Sequence, residues 1–198
     1  MFFNICSLSN NCPCGPRREL NMQNEKITLA GGCFWCIEPI FKKLKGVLSV
    51  VSGYTGGKTS NPTYDDICTG VTGHAEALEV EFDKNQISLA ELLEVFFTIH
   101  DPTTLNKQGA DIGTQYRSAV FYSNEEQKLA VQEAILKANQ AAIWNSPIVT
   151  SLEPAAEFYQ AVQYHQDFFS KHPSNRYCQF SVIPKLKKLD DLFSNLQQ

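Results

Sequence analysis

The chain lacks an apolar run of the length that crosses a membrane, and it lacks an extended cluster of basic residues. Its formal net charge is −4, and its basic residues form only short groups such as Lys185, Lys187 and Lys188. We therefore expect neither a nucleic acid nor a membrane surface as a partner. Residues 1–6 are apolar but have no basic region and no long hydrophobic stretch, so we do not expect a secretory signal peptide.

Cysteine is too scarce and too unevenly placed for a fold held together by disulfides. The chain has seven, and Cys6, Cys12 and Cys14 all lie within the first 14 residues. An odd number also argues against complete pairing. The cysteine usage therefore predicts a reducing compartment, the cytoplasm, with mostly free thiols. The Cys12-Pro13-Cys14 pair could bind a metal or be oxidised, but we expect it to do neither.

The composition predicts one domain with an appended tail. Hydrophobic residues make up 43% and charged residues 19% of the 198 residues, as in soluble globular enzymes. Residues 1–24 contain many Asn, Ser, Pro and Gly residues and are expected to form a flexible N-terminal tail. Residues 25–198 are expected to form a single domain.

The order of predicted elements is βαββαβ between residues 26 and 123. Hydrophobic periodicity and capping residues, among them the boxes Ser88–Glu91 and Ser123–Glu126, define these elements. Strands are predicted at 26–31, 47–54, 75–82 and 116–122, and helices at 34–45, at 89–100 and from the second box to about 142. Further on we expect a strand at 147–152, a helical stretch at 154–170 and a helix at 184–196. The βαββαβ order is that of a ferredoxin-like α+β fold, with an antiparallel or mixed sheet and helices on one face.

The most informative motif is Gly31-Gly32-Cys33-Phe34-Trp35-Cys36, which lies between a predicted strand and a predicted helix. A cysteine at a helix N-terminus is expected to ionise readily, since unpaired N–H groups and the helix dipole favour the thiolate. Cys36 follows one turn later, roughly 5–6 Å away, within reach of a disulfide. The motif therefore predicts a redox site. Two buried small residues, or half of a zinc site, are the alternatives.

Other motifs are weaker on their own. The segment Gly53–Thr59 is one residue short of a phosphate-binding P-loop, and we expect a flexible loop bounding a cleft instead. His74-Ala75-Glu76 is similar to the H-x-E of zinc deaminases, but its order relative to the cysteine pair is reversed. A solvated carboxylate is the simpler interpretation of Glu76. Spacing alone does not bring together the remaining candidates, Tyr64, Asp111, Tyr116 and His165.

Several segments, taken together and in order, resemble the peptide methionine sulfoxide reductase A family, the peptide-methionine (S)-S-oxide reductases. Besides the cysteine motif they are Val51-Ser52-Gly53-Tyr54-Thr55-Gly56-Gly57, Asn61-Pro62-Thr63-Tyr64, Thr72-Gly73-His74-Ala75-Glu76, His100-Asp101-Pro102-Thr103, Asp111-Ile112-Gly113-Thr114-Gln115-Tyr116-Arg117-Ser118, Tyr164-His165-Gln166 and Ile183-Pro184-Lys185-Leu186. The similarity covers residues 26 to 189. It implies a two-layer α/β sandwich, in agreement with the βαββαβ order, and makes 25–198 the catalytic reductase domain.

The resemblance also implies roles for single residues. Cys33 matches the nucleophile, and Phe34 and Trp35 match the walls that hold the substrate's methyl group. Glu76 matches the proton donor to the sulfoxide oxygen. The other matching positions in the pocket are Tyr64 and Tyr116, which hydrogen-bond that oxygen, and the substrate-binding Asp111 and His165.

The implied reaction is reduction of the S epimer of free and peptide-bound methionine sulfoxide. It passes through a sulfenic acid on Cys33 and an intramolecular disulfide, which thioredoxin reduces. No metal, nucleotide or flavin is expected. Protonating the sulfoxide calls for a neutral carboxylic acid, so burial is expected to raise the pKa of Glu76.

One position departs from many family members, which carry glycine where this chain has Cys36. Its position one turn from Cys33 predicts that Cys36 resolves the sulfenic acid. Cys178 is a candidate second recycling cysteine, although a buried cysteine in a strand-like segment is the simpler interpretation, and Cys68 is expected to be a packing residue. Two alternative functions stay open: a general thiol–disulfide oxidoreductase that uses Cys33 and Cys36, and a zinc module that adds His74 and Cys178.

Overall fold

The computed structural model of the protein describes residues 23–198. Apart from Gln23 and Asn24, the predicted tail lies outside the described residues, and so does the Cys12-Pro13-Cys14 pair. Within residues 23–198, none of the helices has the length and apolar character needed to span a membrane.

Eight strands and seven α-helices make up the described chain. The strands are β1 (Asn24–Gly31), β2 (Val47–Thr55), β3 (Ala75–Asp83), β4 (Lys107–Gln108), β5 (Asp111–Ile112), β6 (Ser118–Tyr122), β7 (Ser151–Pro154) and β8 (Tyr159–Gln160). The helices are α1 (Phe34–Lys42), α2 (Tyr64–Cys68), α3 (Leu89–Ile99), α4 (Glu125–Gln140), α5 (Phe168–Lys171), α6 (Arg176–Ser181) and α7 (Ile183–Leu192). Short 3₁₀ turns lie at Thr114–Tyr116 and Ser194–Leu196.

The main sheet is mixed and has six strands in the order β7-β6-β1-β3-β2-β8. The four strands β6, β1, β3 and β2 pair antiparallel throughout, and β7 is added parallel to β6 at one edge. With α1 between β1 and β2 and α3 between β3 and β6, this is the split βαβ arrangement. The predicted α+β class and the ferredoxin-like order are confirmed.

The two faces of the sheet are covered differently. Strand β3 directs Leu78, Val80 and Phe82 into the large core that also holds the buried side chains of the helices. The opposite face carries a smaller cluster of sheet residues covered by Phe158: Ala30, Ala75, Ala77, Ala119 and Phe121. Further along β3 the second face is half exposed at Glu79 and Glu81, as the alternation in the sequence predicts.

The helical prediction for residues 154–170 is wrong for most of that stretch. Residues 159–160 form the edge strand β8, and only Phe168–Lys171 is helical. The side chain of Gln166 holds the intervening segment against the sheet, since it accepts from the Ser52 N–H and donates to the carbonyls of Ser52 and Ala161. Asp167 then adopts a left-handed conformation with φ 57°, so α5 begins only at Phe168.

Further elements differ from the prediction, among them α2, α4, β6 and β7, which covers Ser151–Pro154 rather than residues 147–152. Helix α2 was not predicted, although Thr63 and Asp66 form a complete capping box at its start. Helix α4 is capped by Asn124 rather than Ser123, because the Asn124 side chain accepts from the Gln127 N–H. Residues 114–116 form a 3₁₀ turn, so β6 begins at Ser118 instead of Tyr116.

Candidate active site

Cys33 lies at the N-terminal cap of α1, where the chain leaves the central strand β1. The turn depends on Gly32, which has φ +89°, and a Cβ there would lie 2.5 Å from the Gln108 side chain. The cysteine is 8% exposed, at the edge of the core. A tight glycine turn therefore places a nearly buried thiol at the start of a helix.

Glu76 faces this thiol from the neighbouring strand β3. It occupies the same face of β3 as Leu78 and Val80 and is 1% exposed, so the interpretation as a solvated carboxylate is wrong. Its Oε2 atom accepts a hydrogen bond of 3.1 Å from the Phe34 N–H, the first N–H of α1. Its carboxyl group also interacts with the Cys33 thiol. The carboxyl and the sulfur thus meet at one helix N-terminus.

Burial determines the protonation of Glu76. Removal from water raises the pKa of its carboxyl to about 8, and the nearby charge of Asp111 acts in the same direction. The hydrogen bond from Phe34 opposes the shift but is outweighed by burial. The carboxyl is therefore largely protonated at neutral pH, and the predicted direction of its pKa shift is confirmed.

The thiol of Cys33 behaves differently from the prediction. Burial, followed by the hydrogen bond to Cys36 and the charge of Glu76, raises its pKa well above the ordinary value. The Phe34 N–H that was expected to favour a Cys33 thiolate is bonded to Glu76 instead. The expectation of a thiolate stabilised by the helix is therefore wrong in this structure, where Cys33 is a protonated thiol.

An aromatic wall lines one side of the site, with His165 at its centre. The ring of His165 lies 4.5 Å from that of Tyr64 and 5.5 Å from those of Phe34 and Trp35, between centroids. Trp35 in turn stacks on Phe168 at 3.7 Å with an interplanar angle of 8°. Tyr64 and His165, which the sequence could not connect by spacing, thus lie together with Phe34 and Trp35 of the cysteine motif.

Three phenols surround the buried carboxyl. Burial, followed by other effects that include the charge of Glu76, raises the pKa values of Tyr54, Tyr64 and Tyr116, so each keeps its hydrogen and can donate. Tyr64 and Tyr116 were predicted at the site. Tyr54 was not predicted there. It pairs directly with Glu76 across β2 and β3, and its buried hydroxyl has no hydrogen-bond partner among residues 23–198.

A second group of polar residues lies on the far side of the cysteine pair. The sulfur of Cys36 lies 3.2 Å from the hydroxyl of Tyr177, which donates a 2.6 Å hydrogen bond to Oδ2 of Asp111. Tyr177, on α6, was not predicted as a site residue. Lys185, on α7, adds a half-buried ammonium group whose charge acts on Cys36. Asp111 is thereby connected to Cys36, and its charge also acts on Glu76 and Tyr116.

The other two described cysteines occupy different environments. Cys178 follows Tyr177 on α6 and is 0% exposed, which confirms burial but in a helix rather than in a strand-like segment. Cys68, at the end of α2, is exposed, so the expectation that it is a packing residue is wrong. Its thiol interacts with the hydroxyl of Tyr64. All four described cysteines are free.

His74 has a structural role, and both of its ring nitrogens contact the backbone of a neighbouring loop. Its Nδ1 accepts from the Gly57 N–H at 3.1 Å, and its Nε2 lies 2.8 Å from the carbonyl of Thr59. Among residues 23–198, no three histidine, cysteine or acidic side chains are grouped as a metal site requires. Both ring nitrogens of His74 thus contact backbone groups, and these contacts hold the loop after Gly53 against His74.

Comparison with known proteins identifies the family of the chain. The family model of peptide methionine sulfoxide reductase matches residues 25–197. The chain belongs to this family. A peptide methionine sulfoxide reductase MsrA of Saccharolobus solfataricus is 52% identical over 169 residues, which cover 85% of this chain and 94% of the relative.

Solved structures of the reductase family extend the likeness to the fold. Mxr1 from Saccharomyces cerevisiae in reduced form has a TM-score of 0.71 and 35% identity, and the match covers 77% of this chain and 87% of that one. Mxr1 in complex with Trx2 gives a TM-score of 0.52 and 25% identity, with 75% of this chain and 86% of that one covered.

Proposed function

We propose that this reductase converts the S epimer of methionine sulfoxide, free or within a peptide, to methionine. The observation that carries the proposal is the contact between a nucleophile and an acid. Glu76 is held neutral by burial, beside the Cys33 thiol and behind an aromatic wall. A sulfoxide sulfur becomes electrophilic when its oxygen is protonated, so this pair provides both groups that the first step needs.

In the first step the Glu76 carboxyl gives its proton to the sulfoxide oxygen while the sulfur of Cys33 attacks. The oxygen passes to Cys33 as the hydroxyl of a sulfenic acid, methionine leaves, and the thiol proton of Cys33 returns to Glu76. Tyr64 and Tyr116 donate hydrogen bonds to the same oxygen. The raised pKa values of both phenols support this role, because they keep the hydroxyl hydrogens in place.

The remaining pocket residues select the substrate. Phe34 and Trp35 would enclose the terminal methyl group, since aromatic surfaces favour a soft apolar thioether end. His165 supports this wall from its centre, and the charge of Asp111 acts on Glu76 within the same pocket. An acid, a nucleophile and a wall in three fixed directions favour one configuration at sulfur, which supports discrimination between the epimers.

We further propose that Cys36 resolves the sulfenic acid to a Cys33–Cys36 disulfide. The two cysteines lie one turn apart at the start of α1 and each affects the pKa of the other, whereas Cys178 is fully buried on another helix. Cys178 remains a candidate for a second exchange step. Thioredoxin would reduce the disulfide, and the complex of the relative Mxr1 with Trx2 supports this partner.

The chemistry calls for no metal or prosthetic group, because the thiols and the external dithiol carry all the electrons. We assign the activity to residues 25–198, with residues 1–24 as a separate tail, and the match to residues 25–197 supports this division. The odd number and uneven spacing of the cysteines support a reducing compartment such as the cytoplasm.

Turnover on each epimer tests the proposal. Free and peptide-bound methionine sulfoxide are supplied as pure S and pure R epimers with thioredoxin, its reductase and NADPH, and Cys33→Ser serves as the control. We expect NADPH consumption with the S epimer only, and none with the variant. Equal rates on both epimers would contradict the proposal. Reduction of insulin disulfides without any sulfoxide activity would favour the general thiol–disulfide oxidoreductase.

A further inference from the structure

Tyr177 lies between the second cysteine of the motif and a carboxylate. Its hydroxyl is 3.2 Å from the sulfur of Cys36 and 2.6 Å from Oδ2 of Asp111. The three residues come from α1, α6 and β5, and 141 residues separate Cys36 from Tyr177. The ring of Tyr177 is fixed by an edge contact with Trp35 at 6.2 Å.

The heavy-atom positions of Cys36, Tyr177 and Asp111 are compatible with two arrangements of their protons. In one, the Cys36 thiol donates to Tyr177, which donates to the Asp111 carboxylate. In the other, Tyr177 donates to a Cys36 thiolate and accepts from a protonated Asp111. Passing between the two states moves one proton along each hydrogen bond and requires no movement of the chain. Because burial raises the pKa of Tyr177, the phenol holds a hydrogen in both states.

We propose that Tyr177 and Asp111 form a proton relay that deprotonates Cys36 as it attacks the sulfenic acid of Cys33. The thiol proton of Cys36 passes to the hydroxyl oxygen of Tyr177 while the phenolic proton passes to Asp111. The Cys36 sulfur bonds to the Cys33 sulfur, the S–O bond breaks, and the hydroxyl leaves as water with the proton of Glu76. One disulfide and one water form, Asp111 ends neutral, and Glu76 ends ionised.

The charges around Cys36 assist this step. In the resting protein the hydrogen bond with the Cys33 thiol is the largest effect lowering the pKa of Cys36, while burial and Asp111 raise it; the lowering by Tyr177 and Lys185 does not depend on the Cys33 thiol and applies to this step. The other ionisable groups that interact with Cys36 are Glu76 and Cys178. Lys185 offsets part of the negative charge that Cys36 gains. This inference rests on the proposed role of Cys36 as the resolving cysteine.

The test separates the two chemical steps. Protein without reductant is mixed with one equivalent of S methionine sulfoxide between pH 6 and 9 and quenched at intervals. Methionine reports the first step, the mapped Cys33–Cys36 disulfide reports the second, and trapping with dimedone reports the sulfenic acid. The variant Tyr177→Phe removes the hydroxyl but keeps the ring. Tyr122→Phe, at the end of β6, is the matched control.

We expect Tyr177→Phe to slow disulfide formation by roughly 10²-fold, the lower range for a lost acid–base group, so that the sulfenic acid accumulates. The rate of disulfide formation should then rise with pH, since Cys36 must ionise unaided. Asp111→Asn should slow the same step, and Tyr122→Phe should match the wild type. A step that merely lost packing would slow equally at every pH.

Wild-type rates and pH dependence of disulfide formation in Tyr177→Phe would overturn the relay while leaving the proposed function intact. A wild-type protein that releases methionine but forms Cys33–Cys178 instead would overturn the relay together with the role of Cys36. A wild-type protein that releases no methionine would overturn the proposed function itself, and the relay with it.

Discussion

The backbone N–H of Phe34 donates a hydrogen bond to the carboxyl group of Glu76 across 3.1 Å. It joins the first residue of α1 to strand β3, directly beside the nucleophile that caps the helix. The positive end of the helix therefore acts on the acid rather than on the thiol. Acid and nucleophile are held in one unit, so their separation does not depend on a mobile loop.

The acid role of Glu76 leads to the first prediction. Glu76→Gln keeps an oxygen to accept from Phe34 but cannot give up a proton. It should slow methionine release in a single turnover by roughly 10²–10⁴-fold. In the wild type the same rate should fall as pH rises through about 8, because the protonated carboxyl is then lost. Rapid-quench measurements from pH 6 to 10 provide both results. A near wild-type rate in Glu76→Gln would remove the acid from the mechanism.

The second prediction concerns stability. The unfolded chain ionises Glu76 near its ordinary pKa of 4.5, while the folded protein keeps the proton up to about pH 8. Unfolding therefore releases a proton between these values, and the wild type loses stability as pH rises through this window. Glu76→Gln does not incur this loss. The free energy of unfolding of Glu76→Gln minus that of the wild type should therefore be larger at pH 7 than at pH 4.5. The increase should be about 2–3 kcal/mol.

Urea unfolding at the two pH values measures this difference. Glu81→Gln is the matched control, because Glu81 lies on the same strand but on its half-exposed face. Its stability relative to the wild type should change little with pH. If Glu76→Gln showed the same small change as the control, the carboxyl of Glu76 would be ionised in the folded protein.

The sequence was sufficient for the order of the central strands and for the position of the nucleophile, because both depend on local patterns. The alternation in β3 and the glycine turn before Cys33 are signals of this kind. Helix α2 escaped prediction since five residues are too few to show a helical period, although its capping box was readable.

Contacts between distant segments could not be predicted in this way. Asp111 and Tyr177 are 66 residues apart, and no local pattern indicates that α6 returns to the cysteine pair. The protonation of Cys33 likewise depends on how deeply it is buried and on which group takes the Phe34 N–H. Tyr54 had a usable signal, since it alternates with Ser52 and Val50 on the buried face of β2.

The third prediction tests the aromatic wall. Trp35 stacks on Phe168, which is 2% exposed, so Phe168 fixes the orientation of the indole. Phe168→Leu keeps most of the volume and loses the stack, which is worth about 0.5–1.5 kcal/mol. The KM for the S epimer should rise about 2- to 10-fold, with a smaller change in kcat. The control variant is Phe180→Ala, because the Phe180 side chain is 81% exposed. Its KM for free methionine sulfoxide should equal that of the wild type. An unchanged KM in Phe168→Leu would show that Trp35 does not bind substrate.

The fourth prediction assigns the cysteines. Cys36→Ser should release one methionine per protein but lose turnover with thioredoxin, because no disulfide of Cys33 with Cys36 can form. Cys178→Ser should retain most of that turnover, since Cys178 is fully buried on α6. Cys68→Ser provides an exposed cysteine as the control. Turnover that survives in Cys36→Ser and disappears in Cys178→Ser would reverse the assignment.

The central claim is that Cys33 takes the oxygen of the S epimer and then bonds to Cys36. The most direct measurement is a single turnover without reductant, in which methionine is counted and the protein is mapped by peptide mass analysis. We expect one methionine and one Cys33–Cys36 disulfide per protein with the S epimer, and neither with the R epimer. Methionine formed without a disulfide of Cys33, or formed equally from the R epimer, would contradict it.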